Sequence, residues 1–110
     1  MSYRVVIVPP AKQQLEQYIQ YTKEELKNVT AARSIRDDAR ETKSRLSTLA
    51  ESLAFCPDPV LAAAGYRKIM FKKHSFFMVY RVEGELVVVE AMYHVLQDYE
   101  SLFSKKKHLK

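Results

Sequence analysis

The hydrophobic period along the chain changes from one half to the other. Tyr3-Arg4-Val5-Val6-Ile7-Val8 is a nearly continuous β-branched run and predicts a strand, which Pro9-Pro10 ends because neither proline can donate to a ladder. Pro10 suits the first turn of a helix, where its missing N–H would be unpaired anyway. From there Ala11, Leu15, Tyr18, Ile19, Thr22 and Leu26 recur at three- and four-residue spacing, with Lys12, Gln13, Glu16, Gln17, Gln20 and Lys23 between them, the pattern of an amphipathic helix. Asn28-Val29-Thr30 interrupts it, and Thr30 is placed to cap a second helix carried by Ala32, Ile35, Ala39, Thr42, Leu46, Leu49 and Leu53. So short a break predicts an antiparallel helical hairpin. The same seam would suit a coiled-coil homodimer, but the flanking strands need a helical layer, which favours packing within the chain.

Pro57-Asp58-Pro59 forbids further helix, and Gly65 closes a small-residue connector spanning Val60 to Ala64. Three strands are then predicted: Tyr66 to Phe71, Phe76 to Val82 and Leu86 to Tyr93. Lys72-Lys73-His74-Ser75 separates the first two, and a glycine-based turn, Glu83-Gly84-Glu85, the last two. Connections this short predict an antiparallel meander. Regular alternation along the last strand puts Val87, Val89, Ala91 and Tyr93 on one face, toward the helices. Leu86, Val88, Glu90, Met92 and His94 then lie on the other, the candidate working surface. Asp98 to Ser104 is expected to add a short helix with Leu102 and Phe103 docking back. The fold class is α+β: an N-terminal strand, a helical hairpin, and a meander whose antiparallel sheet packs on the helices.

Size and charge bound what such a domain can do. With 110 residues, the chain closes one core, taken as a single domain over residues 1–104 with a basic tail over 105–110 (Lys105-Lys106-Lys107-His108-Leu109-Lys110), read as a frayed end. Eighteen Lys+Arg against thirteen Asp+Glu give a net charge of +5, a field that attracts nucleic acid or an acidic partner. One cysteine, Cys56, forms no internal disulfide and supplies no multi-thiolate metal site, and its apolar surroundings suit packing. No apolar run approaches membrane-spanning length and the start of the chain does not read as a secretory signal, so the expectation is a cytoplasmic protein without membrane contact. A glycine-rich phosphate loop, HExxH and GxSxG are all missing from the sequence, and no cofactor or metal is expected.

The groups able to do chemistry gather in the C-terminal half. Metal-free RNA cleavage needs a base for the ribose 2′-hydroxyl, cations for the phosphorane and an acid for the leaving 5′ oxygen. His94 is the acid–base candidate, because the reference pKa of a histidine lies near neutrality. Arg67 and Arg81 are the candidate oxyanion clamps, because guanidinium stays charged and grips phosphate bidentately. Tyr93 completes the catalytic set with His94, Arg67 and Arg81 and, with Lys68, would orient RNA; Lys72, Lys73 and His74 form an edge suited to phosphates. Glu90, four strand residues from His94 and therefore about 13 Å away, is too far for a hydrogen-bonded dyad. The alternative for each of these is a satisfied structural histidine or a surface cation.

The order of elements, with Tyr3-Arg4-Val5, Ala11 and Leu15, Tyr66-Arg67, Val79-Tyr80-Arg81-Val82 and His94 to Gln97-Asp98-Tyr99, resembles the RelE/ParE superfamily of toxins over nearly the whole chain. These are toxins of type II toxin-antitoxin systems, also known from plasmid stabilisation and addiction modules. The resemblance implies a growth-arresting protein held by a cognate antitoxin that wraps the hairpin and sheet. The reading favoured from the resemblance is RelE-like, metal-independent cleavage of mRNA on the ribosome by an endoribonuclease; the alternative is ParE-like, non-enzymatic poisoning of DNA gyrase, and a decayed, merely RNA-binding member is the remaining possibility. The sequence departs from both patterns. Aligned on Val79-Tyr80, Phe77 stands where the RelE type carries a catalytic arginine and Met70 where it carries a lysine, and the segment His94 to Asp98 lacks an arginine usual in ParE-like members.

Overall fold

The computed structural model describes residues 2–109; Met1, and Lys110 of the expected tail, lie outside the described residues. The element order is β1 (Arg4–Ile7), α1 (Pro9–Glu24), α2 (Val29–Leu49), α3 (Pro59–Ala63), β2 (Arg67–Met70), β3 (Phe76–Glu83), β4 (Leu86–His94) and α4 (Tyr99–Lys106). The first helix begins where the proline pair allows, with the Val8 carbonyl accepting the Ala11 and Lys12 amides at 3.0 and 3.1 Å. The second is capped by Asn28 and not by Thr30. Its side chain accepts the Ala31 N–H at 2.9 Å, while Thr30 is already helical and so cannot fill the non-helical cap position. The connector after Pro57 also differs from expectation. Asp58 accepts the Leu61 N–H and Pro59 opens the turn, so residues 59–63 wind into α3 and bury Leu61 completely. Gly65, at φ 90°, leads out of it.

The sheet order is β1-β4-β3-β2. The meander is antiparallel as expected, but β1 lies parallel to β4, so the sheet is mixed and not antiparallel throughout. The helical connection from β1 frees it from hairpin geometry and supplies the crossover that parallel neighbours need.

A bulge corrects the expected faces of β4. Val79 pairs with Ala91 but Tyr80 pairs with Val89, which leaves Glu90 as an extra residue. Past it the alternation inverts. Val87, Val89 and then Met92 join Met78, Tyr80, Ile35 and Leu46 in the core under the hairpin. Ala91 and Tyr93 turn to the opposite face with Phe77, Val79, Tyr66 and Cys56.

That opposite face is not open. Leu61 of α3 and Phe103 of α4, both fully buried, pack on it. Burying a side chain such as Phe103 stabilises by about 1.5–3 kcal/mol, enough to hold a short helix. Leu102, expected to dock beside it, is 47% exposed. The helix runs past residue 104 to Lys106, and the tail is docked rather than frayed: Lys107 reaches Glu90 at 2.6 Å, and Leu109 packs against the same cluster. Among the described residues no helix is long and apolar enough to cross a membrane.

Candidate functional site

The four residues read as catalytic do not share a surface. His94, at the end of β4, lies on the hairpin side with its ring edge-on to Phe76 at 5.2 Å, and its Nδ1 accepts the Leu96 N–H at 3.1 Å. That bond leaves Nε2 as the proton-bearing nitrogen of the neutral ring. Tyr93 turns to the other face, where it is buried beside Phe77 and Tyr99. Burial pushes its pKa up, with only partial offset from a Gln14 hydrogen bond, so it is a poor proton donor near neutrality.

Arg67 sits opposite Tyr80 and His94 opposite Phe76, on strands either side of β3; four residues along the strand and two strand spacings across the sheet put them about 16 Å apart. The Arg67 guanidinium stacks on the Phe55 ring at 3.8 Å and donates to the Leu53 and Glu51 carbonyls, so it closes the α2–β2 connection. Arg81 projects from the opposite face. Its Nε donates to Glu90 at 2.5 Å, and it also pairs with Glu83.

Around Arg81 the structure does assemble a cluster. The bulge tucks Glu90 to 7% exposure, where it accepts from Arg81, from Lys107 at 2.6 Å and from the Tyr66 hydroxyl at 3.2 Å. Burial raises the Glu90 pKa, but the hydrogen bonds and charges of Lys107 and Arg81 outweigh it and hold the carboxyl below its ordinary value. The Lys107 ammonium is raised in turn, chiefly by its bond to Glu90. Two cations and the two carboxylates Glu83 and Glu90 make the cluster neutral, and a phosphate would have to displace a carboxylate from Arg81 to be gripped.

The four residues read as RNA-binding are partly engaged as well. The Lys68 ammonium lies over the Phe77 and Tyr99 rings at 5.0 and 4.9 Å, and Lys72 pairs with Glu41 at 3.3 Å. His74 Nε2 shares a hydrogen bond with Ser34 at 2.9 Å. The loop they occupy is held by Asp38, 2% exposed on α2, whose carboxylate accepts the Lys72, Lys73 and His74 amides at 3.2, 3.0 and 2.8 Å. Three converging N–H donors explain how a carboxylate can stand inside an apolar seam.

Lys73, His74 and His94 do meet at one place. A mostly apolar groove of about 790 Å³ opens between the tip of the helical hairpin, the β2–β3 loop and the end of β4. Tyr18 and Phe76 form its floor, their rings 4.7 Å apart. Its rim carries exposed apolar side chains, with Leu96 87%, Leu26 58% and Tyr21 57% exposed. Two histidines and a lysine line it, but among the described residues no arginine does so to stabilise a phosphorane. Among the described residues no three of His, Cys, Asp and Glu gather as a metal would require. Burial pushes the Cys56 thiol up, which suits packing.

Sequence reasoning missed Asp38, Tyr66 and Lys107 and weighed Glu90 only as a partner for His94. The signals were present: Asp38 falls between Ile35 and Ala39 on the apolar stripe, and Glu90 interrupts Val87-Val88-Val89 and Ala91-Met92-Tyr93. A charge in a buried pattern calls for a partner, but the partner's address is not in the pattern.

No family model matches the chain, and no curated protein matches it. Solved structures do. One is a chain of the "Chromosomal ParDE TA system from P. aeruginosa", with a TM-score of 0.71 and 19% sequence identity over 86% of this chain and 97% of that one. The two share a fold over most of both chains, and the α+β arrangement of strand, helical hairpin and meander that the sequence resemblance implies is the architecture observed.

Proposed function

We propose that this chain is the toxin of a type II toxin-antitoxin pair, acting in the cytoplasm and neutralised by a cognate antitoxin, and that it arrests growth by binding DNA gyrase without cutting RNA. The observation that carries the reading is the fold shared, over 86% of this chain, with a chain of a ParDE system. The electrostatics favour the non-enzymatic branch. His94 and Arg67 stand about 16 Å apart on one face, Arg81 and Tyr93 are on the other, and Arg81 is already neutralised by two carboxylates. A binding protein needs an accessible surface instead, and the groove's rim of Leu96, Leu26 and Tyr21 beside Lys73 offers an apolar patch with a basic margin.

The test is induced expression of the chain alone in bacteria, followed over minutes for growth, transcript integrity and plasmid supercoiling, with purified gyrase assayed in parallel. Arrest with intact transcripts and inhibited gyrase is expected. Rapidly cut transcripts, spared by His94→Ala, would restore the endoribonuclease reading with mRNA on the ribosome as substrate. Normal growth would remove the toxin reading.

A further inference from the structure

The positive charge of the chain is not spread evenly. Arg81 and Lys107 are neutralised by Glu83 and Glu90, Lys72 by Glu41, and Arg67 and Lys68 lie over aromatic rings. On the outer side of the helical hairpin the balance differs. Arg33, Arg36, Arg40 and Lys43 recur on α2 at steps of three, four and three, so they share one flank of that helix. Lys12, Glu16 and Lys23, four and seven residues apart, do the same on α1. The Arg36 guanidinium donates to both Glu16 carboxylate oxygens, at 2.9 and 3.2 Å, so the two flanks meet across the seam between the helices. Six cations therefore line this seam against three carboxylates, Glu16 within it and Glu24 and Asp37 at its margins.

Most of that charge is free. Lys12, Lys23, Arg33 and Lys43 are exposed and make no ion pair among the described residues. Arg40 only approaches Asp37, at 3.7 Å. The Arg36–Glu16 pair is itself about half exposed, with side chains 42% and 51% accessible, and pairs of that kind contribute little. Two shallow hollows flank the row. One of about 230 Å³ is bordered by Lys23, Arg33 and Arg36, and one of about 360 Å³ by Arg40, Lys43 and Ser47.

The shape of the row narrows its ligand. From Arg33 to Lys43 the helix rises about 15 Å. A duplex carries one phosphate per about 3.4 Å of each strand, so a straight row of that length lies against about four of them. Guanidinium grips phosphate bidentately, and three of the six cations are arginines. An unpaired strand would need aromatic platforms for its bases. Of the aromatic side chains among the described residues, only Tyr3 borders either hollow, and Glu51 holds its hydroxyl. A protein partner would need exposed apolar anchors. Those of the hairpin, Leu26 and Tyr21, rim the groove instead and line neither hollow.

We propose that the outer seam of the helical hairpin lies along the phosphate backbone of double-stranded DNA and binds it without reading its sequence. The choice of DNA over duplex RNA rests on the gyrase reading above, since gyrase works on DNA; the charged seam itself does not.

The probe is a labelled mixed-sequence DNA duplex of about 20 base pairs, titrated with the full chain at several salt concentrations and followed by fluorescence anisotropy; about four neutralised phosphates predict a slope of log K against log salt of about −3.6. Arg33→Gln combined with Lys43→Gln removes two exposed charges from the seam. Binding should weaken at least about tenfold and the slope flatten by about two units, with the unfolding midpoint unchanged. Lys105→Gln combined with Lys106→Gln takes the same charge from the exposed end of α4 and should change binding by less than about twofold. No binding, binding without salt dependence, or equal loss in the two double variants would each overturn the proposal. Polyglutamate of matched charge binding as tightly as DNA would overturn it too, and would give the seam to acidic protein segments. Duplex RNA bound more tightly than DNA would overturn the choice of DNA. Seam binding by a chain that arrests no growth and leaves gyrase active would instead sink the toxin reading and leave the seam standing.

Discussion

Glu90 is the residue on which the face opposite the hairpin depends. It joins strand, bulge and tail through Arg81, Lys107 and Tyr66. Glu90→Gln keeps the oxygen acceptor but strands two cations, about a third exposed, so the expected loss is on the order of 1–2 kcal/mol, below the cost of breaking a fully buried pair. The midpoint of urea unfolding at neutral pH measures it. The sign of the pH dependence follows from the direction of the shift. A carboxyl held below its ordinary value of 4.5 contributes fully above that value and loses its contribution as pH falls through its lower folded value. The raised Lys107 contributes fully below 10.5 and loses its share as pH rises beyond its folded value. Wild-type stability should therefore fall at acid pH more steeply than that of Glu90→Gln; parallel curves would show that the cluster does not set the acid limb.

At the scale of elements, one buried carboxylate joins α2 to the β2–β3 loop. Asp38→Ala would leave three loop amides without their acceptor, at a cost of about 2–4 kcal/mol, and would free the loop that forms one wall of the groove. Faster amide exchange confined to residues 72–74, together with a lowered thermal midpoint, is the expected signature; an unchanged loop would remove Asp38 from this role. The elements themselves were legible in the sequence wherever periodicity decides them: the β-branched run stopped by Pro9-Pro10, the helical stripe from Ala32 to Leu46, and the Gly84 hairpin, whose φ of 59° only glycine adopts freely. What escaped was non-local. Alternation along β4 reads as regular because a bulge depends on the partner strand, and Val79 and Tyr80 place the slip at Glu90. His94 and Tyr93, adjacent in the strand, take opposite faces with or without the slip; what the slip hides is which face each takes, and the pairing register across the strand order, unread in the sequence, sets Arg67 about 16 Å from His94. The cover supplied by α3 and α4 was hidden for the same reason, since Leu61 and Phe103 find their places only through tertiary packing.

For the molecule as a whole, helices on both faces of the sheet leave two open surfaces with different characters: the apolar groove rimmed by Leu96, Leu26 and Tyr21, and the basic outer seam of the helical hairpin. If gyrase is held at the groove and DNA at the seam, the two bindings should separate by mutation. Leu96→Ser combined with Leu26→Ser changes only exposed side chains, so stability should move by no more than about 0.5 kcal/mol each. Losing that apolar contact should nonetheless weaken gyrase inhibition at least about tenfold, because exposed apolar anchors carry a large part of an interface's energy. The same double variant should still bind the duplex probe as wild type does. Arg33→Gln combined with Lys43→Gln should behave in the opposite way, losing the duplex yet holding DNA-free gyrase as wild type does. His94→Ala is the internal control, since on the binding mechanism its loss removes no proton transfer and transcripts stay intact with or without it. Binding to the duplex and to DNA-free gyrase, alongside supercoiling in the presence of the purified variants, resolves the matter. If the groove variant and the seam variant fail in the same binding assay, the two surfaces are not separate and the division of labour proposed for them falls.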